Sequence, residues 1–251
     1  MRYPILCGAL LLAACGGDRG ATPAADTTAA AAAPAPAGSA TITGTVRFSG
    51  TAPANPAIDM SEEAACQAKH TGVITDPQVV VTNGMVSNGF VYVKSGLPAG
   101  VTYPTPTTPV VIDQNGCLYT PRVFGVMAGQ PIEIRNSDPV LHNIKAVPTA
   151  NRGFNISQPS QGMTTTRTFT TAEVMVPFEC NVHGWMNAWV GVMTHPFYAT
   201  SGADGGFSIQ GLPAGTYELE AWHEKLGTRT ISVTVAEGGS ATAEFSFGPT
   251  T

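Results

Sequence analysis

From residue 41 onward, apolar and polar residues alternate along much of the chain. In Thr41-Ile-Thr-Gly-Thr-Val-Arg-Phe48, Ile42, Val46 and Phe48 alternate with polar neighbours, which predicts a strand with one buried face. The same reading predicts strands at Val79–Thr82, Phe90–Val93, Val110–Ile112, Val123–Met127, Ile132–Ile134, Thr164–Phe169, Val174–Cys180 and Ala188–Met193. After Pro196 an Asp204-Gly205 turn joins two more alternating strands. Tyr217, Leu219 and Ala221 share a face. So do Ile231, Val233 and Val235, and then Ala241, Ala243, Phe245 and Phe247. Asp59–Lys69 reads as one short helix that carries Cys66 and is capped by Asp59 or Ser61. Asn151–Met163 is polar and reads as a loop.

The pattern predicts an all-β protein. Composition agrees: 28 glycines, 20 prolines and only 12% charged residues suit many turns rather than helices. The net charge of −5 argues against nucleic acid and leaves no basic patch for a membrane. Residues 1–14 read as a leader: Arg2, then the apolar run Ile5–Leu12, then small residues directly before Cys15. That run is too short to span a bilayer. Residues 15–40 are mostly Ala, Pro, Thr and Gly and read as a disordered tether.

The chemistry gathers at Val174-Met-Val-Pro-Phe-Glu-Cys180-Asn-Val-His183-Gly-Trp-Met186. A regular strand puts Val174, Val176, Phe178 and Cys180 on one inward face. An imidazole follows at Cys+3 and a thioether at His+3. Upstream, Asn136-Ser-Asp-Pro-Val-Leu-His142-Asn143 offers a second imidazole. Two histidines and a thiolate with a weak axial methionine form the blue-copper electron-transfer set, whereas zinc prefers more Cys or His and no Met. Glu179 and Asn181 flank Cys180, so there is no His-Cys-His run, and only five histidines exist. This argues for a carrier rather than an enzyme.

Here the sequence resembles the cupredoxin family, in particular its amicyanin-like and plastocyanin-like members, from about Thr107 to Pro196. Tyr119-Thr-Pro121, Gly129-Gln-Pro-Ile-Glu-Ile-Arg-Asn136, His142-Asn143, Phe169-Thr-Thr and the ligand loop carry the resemblance. It implies a Greek-key β-sandwich and one type 1 copper held by His142, Cys180, His183 and Met186. His183 near the surface would be the electron's exit. Val182 and Gly184 stand where amicyanin-like loops carry proline. The flanking sequence resembles the carboxypeptidase regulatory-like domain, a small carbohydrate-binding-like (Ig/prealbumin-like) sandwich. The residues that carry this second resemblance are Gly44-Thr-Val-Arg-Phe48, Gly89-Phe-Val-Tyr-Val93 and Gly211-Leu-Pro-Ala-Gly-Thr-Tyr-Glu-Leu-Glu-Ala221. Two organisations stand open. In one, residues 41–103 and 197–249 form a discontinuous sandwich around a copper domain at 104–196. In the other, an extended cupredoxin precedes a small C-terminal sheet.

Cysteine use completes the expectation. Leu12-Ala-Ala-Cys15 resembles a bacterial lipobox, which makes Cys15 the lipidated residue and the cell envelope the location, with Gly16 favouring the outer membrane. Cys7 leaves with the leader and Cys180 takes copper. Cys66 and Cys117 remain, and in an oxidising compartment they are expected to pair. Partners are expected to be an envelope redox protein, with membrane contact through the lipid alone. An exposed Trp185 would mark the docking patch. Two rivals are kept: a glycan-binding envelope module using Trp222 and His223, with a vestigial copper site, and a copper store or chaperone.

Overall fold

A computed structural model of the chain describes residues 38–249 and the backbone of Ala33–Pro34. The expected leader, Cys15 and most of the tether lie outside the described residues. The strands are β1 (Ala40–Phe48), β2 (Val81–Thr82), β3 (Met85–Val86), β4 (Phe90–Ser95), β5 (Val110–Gln114), β6 (Tyr119–Thr120), β7 (Val123–Met127), β8 (Pro131–Asn136) and β9 (His142–Ala146). They continue as β10 (Phe154–Gln158), β11 (Thr164–Thr168), β12 (Glu173–Glu179), β13 (Asn187–Met193), β14 (Tyr198–Thr200), β15 (Gly206–Leu212), β16 (Gly215–His223), β17 (Gly227–Val235) and β18 (Ser240–Phe247). Ala33–Pro34 pairs with Val101–Thr102. Among the described residues the one α-helix, α1 (Ala64–Gln67), is a single turn.

The protein is all-β, and its strands sort into two sandwiches. One pairs a sheet ordered β14-β4-β16-β17 with a sheet ordered β15-β1-β3-β2, and β18 lies parallel to β1. Ile42, Val46, Phe207, Leu219, Val233 and Phe245 from both sheets fill its core. The other pairs β11-β8-β5-β6 with β10-β9-β12-β13-β7. Ile112, Ile132, Ile134, Ile144, Phe178 and Val190 fill that core. Strands from before residue 96 and after residue 197 therefore share sheets, and the strands between Val110 and Met193 share others.

Residues 58–74 depart from the boundary drawn on sequence. Their apolar residues Ile58, Met60, Cys66 and Ile74 join the core of the middle sandwich, not that of the flanking one. Cys66 is bonded to Cys117, as expected. The segment is thus a strap crossing from one sandwich onto the other.

Two further expectations are corrected. Asn151–Met163 is not all loop, because Phe154–Gln158 pairs with β9 along its whole length. Val174 does not face inward and is 40% exposed, while Met175 is buried. The register shifts between Glu173 and Val176, and such a bulge moves side chains to the opposite face. Val176, Phe178 and Cys180 keep the inward face.

Where the sandwiches meet, Phe90, Tyr92, Val123, Met175 and Met193 form a third apolar cluster. Gly125 and Gly191 allow this contact: a Cβ on Gly125 would lie 2.4 Å from the Tyr198 ring, and one on Gly191 2.6 Å from Phe90. Beside it, buried Arg122 reaches Asp76 at 2.8 Å and clasps both carboxylate oxygens of Glu224.

Candidate metal centre

His142 opens β9 after a turn that Asn136 organises. The Asn136 side-chain amide donates to the carbonyls of Val140 and Gln158 and accepts from the N–H of Asp138. Cys180 follows the last residue of β12, so the strand delivers its sulfur to the end of the core. The loop then closes on itself. The His183 N–H donates to the Cys180 sulfur at 3.3 Å, and the Met186 N–H to the His183 carbonyl at 2.9 Å. Asn143, next to His142, staples the two segments together: its Oδ1 accepts from the Asn181 N–H at 3.1 Å.

The donor atoms converge. Nδ1 of His142 lies 3.1 Å from Nδ1 of His183, and Sγ of Cys180 lies 3.9 Å from the latter. One donor atom from each of His142, Cys180 and His183 lies within 4.8 Å of the others. Donors each about 2 Å from a shared ion stand 3–4 Å apart, so the spacing fits one metal. All three are buried, as is Met186, which packs in the same apolar cluster as Cys180. A thiolate and two imidazoles, with Met186 buried at the end of the same loop, are a soft set that suits copper.

Electrostatics prepare the donors. Nε2 of His142 faces the Asp138 carboxylate at 3.0 Å. An ionised carboxylate only accepts, so Nε2 carries the proton and Nδ1 can present its lone pair to a metal. Burial works against the imidazolium, but hydrogen bonds to Cys180 and Asp138 outweigh it and raise the His142 pKa. Burial likewise opposes ionisation of Cys180. Hydrogen bonds from His142, His183 and the backbone N–H groups of His183 and Asn143 win, and hold the thiol at about 5. Asp138 is buried too, yet the N–H groups of Cys117 and Gly116 and the His142 ring keep it below the usual carboxylate value. The sequence does not single out Asp138, though its place four residues before His142 in an Asx-rich turn is the available signal. A second group, Cys117, Asp138 and His142, also converges, but its sulfur is committed to the disulfide.

The expected exit is covered. His183 is only 3% exposed, and its Nε2 faces Sγ of Cys66 at 3.9 Å. The strap has come down over the imidazole edge. Trp185 is half-buried, and its indole N–H donates to the Cys117 carbonyl at 2.9 Å. A cleft of about 350 Å³ opens beside them, lined by Asp59, Glu62, Glu63, Val182, His183 and Trp185.

The sugar-contact candidates lie elsewhere. His223 ends strand β16 rather than sitting in a loop, and is 2% exposed. Its Nδ1 accepts from the Lys225 N–H. Trp222 packs its ring 5.3 Å from that of Trp189 at the junction. Both side chains are engaged within the molecule.

The carboxypeptidase regulatory-like domain family matches residues 187–248, about a quarter of the chain. The match overlaps the flanking sandwich and β13 of the middle one. No curated protein matches the sequence. Among solved structures, the chain is similar to a purple cupredoxin from Nitrosopumilus maritimus, at 20% identity over 33% of this chain and 98% of that one, with a TM-score of 0.29. An amicyanin mutant in its Cu(I) form gives 19% identity, 41% and 97% coverage, and a TM-score of 0.31. A copper-containing nitrite reductase from Thermus scotoductus SA-01 gives 15% identity and a TM-score of 0.33. It covers 59% of this chain, which spans only 28% of the reductase.

Proposed function

We propose that this chain is a blue-copper protein that carries single electrons in a bacterial cell envelope, anchored through lipid on Cys15. The observation that supports it most is the convergence of His142, Cys180 and His183 within 4.8 Å at the buried end of the core. Bound there, copper would supply a one-electron couple. The chain's own residues do the rest. Asp138 orients the His142 ring, Asn143 fixes the ligand loop, and burial excludes water and small reactants. A buried, rigidly held donor set changes little between oxidation states, which favours electron transfer over chemistry on a substrate. We read the protein as a carrier, not an enzyme, whose partner is an envelope redox protein.

The glycan-binding alternative receives no support from Trp222 and His223, which face neighbours within the molecule. The test is the visible and EPR spectrum of the full chain after adding Cu(II). An intense band near 600 nm with narrow hyperfine splitting is expected, and Cys180→Ser should abolish it while the far-UV CD is kept. A colourless protein, or the same band in Cys180→Ser, would overturn the reading. A chaperone would instead bind Cu(I) reversibly and colour weakly on oxidation.

A further inference from the structure

Outside the ligands, one residue, Cys117, touches a partner of each histidine. The Cys117 N–H donates to Asp138 Oδ2 at 2.7 Å, beside the Gly116 N–H on Asp138 Oδ1 at 2.9 Å, and that carboxylate holds His142. The Cys117 carbonyl accepts from Trp185, whose ring lies 5.1 Å from that of His183. The Cys117 sulfur is joined to Cys66, whose own sulfur abuts His183 Nε2. The strap adds two more contacts: His70 Nε2 meets the Gly116 carbonyl at 2.7 Å, and Lys69 reaches Asp138 at 3.4 Å.

A disulfide that only stabilised the fold would need none of this. Its effect on the unfolded chain depends on the length of loop it closes, not on what its backbone touches. Here the half-cystine meets one histidine through a carboxylate and the other through an indole. Partners that orient metal-binding histidines set ligand basicity and geometry.

We propose that Cys66–Cys117 is a positioning disulfide of the metal centre. Cys117 fixes the ring of His142 through Asp138 and the loop of His183 through Trp185, and Cys66 closes the outer edge of His183. The inference rests on the copper reading above.

Copper affinity, by chelator competition, and the EPR hyperfine splitting are compared in the full chain and in Cys66→Ser/Cys117→Ser. The expected result is about a 10- to 100-fold loss of affinity, the usual scale for lost outer partners, with a shifted splitting. Asp138→Asn and Trp185→Phe keep the disulfide and should each move both readouts. Trp185→Phe should add less in the disulfide-free background than alone, because the two act as one unit. Disulfide removal that lowers the melting temperature but leaves affinity and splitting unchanged would overturn the proposal. If the disulfide-free chain does not fold, unchanged readouts in both single variants would overturn it. If the parent protein binds no copper, the copper reading fails. This proposal is then judged on the imidazole ¹⁵N resonances of His142 and His183 with the disulfide intact and reduced. Unchanged resonances would sink it, and shifted ones would sustain it.

Discussion

Nδ1 of His142 stands 3.1 Å from Nδ1 of His183, across 41 residues of chain. Two ring nitrogens at that distance need a proton or a cation between them, since two lone pairs would repel. The proton on the other side of His142 is held by Asp138. A metal bound there would compete with a proton for the same position.

The first prediction follows from that competition. The His142 pKa is raised above its ordinary 6.5, so below that raised value copper must displace a proton. Copper affinity should increase with pH through and beyond 6.5, then level off once the ring is neutral. Cys180, held at about 5, is mostly thiolate across this range and adds little slope above its lower end. Chelator competition between about pH 5.5 and 9 measures it. A flat profile would remove protonated His142 from the account.

At the junction of the sandwiches, Arg122 stands between Asp76 and Glu224, and all three side chains are less than a tenth exposed. Removing the guanidinium leaves two carboxylates buried without a counter-charge. Arg122→Ala should cost roughly 3–5 kcal/mol in urea unfolding and separate the unfolding of the two sandwiches into two steps. A single transition with less than about 1 kcal/mol lost would show that water already serves these carboxylates.

His223 carries an acid sensitivity of its own. Burial, helped by the charge of Arg122, depresses its pKa to about 4. The folded state thus resists protonation that the unfolded chain accepts. The neutral ring's contribution is fully present above 6.5 and is lost as pH falls from 6.5 towards 4, on the order of 3 kcal/mol in all. His223→Gln should flatten stability relative to the parent across that window. Parallel pH profiles for the two proteins would contradict the assignment.

Glu173 works lower on the scale. Burial is the largest single influence and opposes its charge, but four hydrogen bonds together outweigh it. The N–H groups of Thr149 and Ala150, with the side chains of Asn151 and Thr149, hold its pKa at about 2. Its folded pKa lies below the unfolded one, so its contribution is complete above about 4.5 and disappears as pH falls towards 2. Glu173→Gln should be less stable than the parent at pH 7, and the difference should close by pH 2. A difference that stays constant with pH would mean that packing, not charge, is at stake.

The sequence disclosed what is local. Cys180, His183 and Met186 stand within seven residues at the end of one strand, so period and spacing suffice to group them. His142 was legible from its Asn-rich turn. What was not legible depends on distance or on breaks in the period. Val174 turns outward because a bulge interrupts the alternation on which its placement relied. Phe154–Gln158 is an edge strand whose solvent-facing residues are polar, so it reads as loop. Trp222 reads as available because its neighbours His223, Glu224 and Lys225 are polar, yet its ring packs against Trp189 of the other sandwich. Cys66 and Cys117 could be paired by elimination. Their contact with the donors could not, because it needs four chain segments in one place.

The parallel pairing of β1 with β18 joins opposite ends of the chain and is expected to form late in folding. Ser49 and Ser246, 197 residues apart, share a hydrogen bond at the end of that pairing. Loop-closure entropy delays such a contact until something shortens the path between its ends. The middle sandwich needs only its own strands and the strap that precedes them, and once compact it brings Val93 and Phe197 within hydrogen-bonding distance. The donor set of His142, Cys180 and His183 is therefore expected to assemble before the flanking strands close.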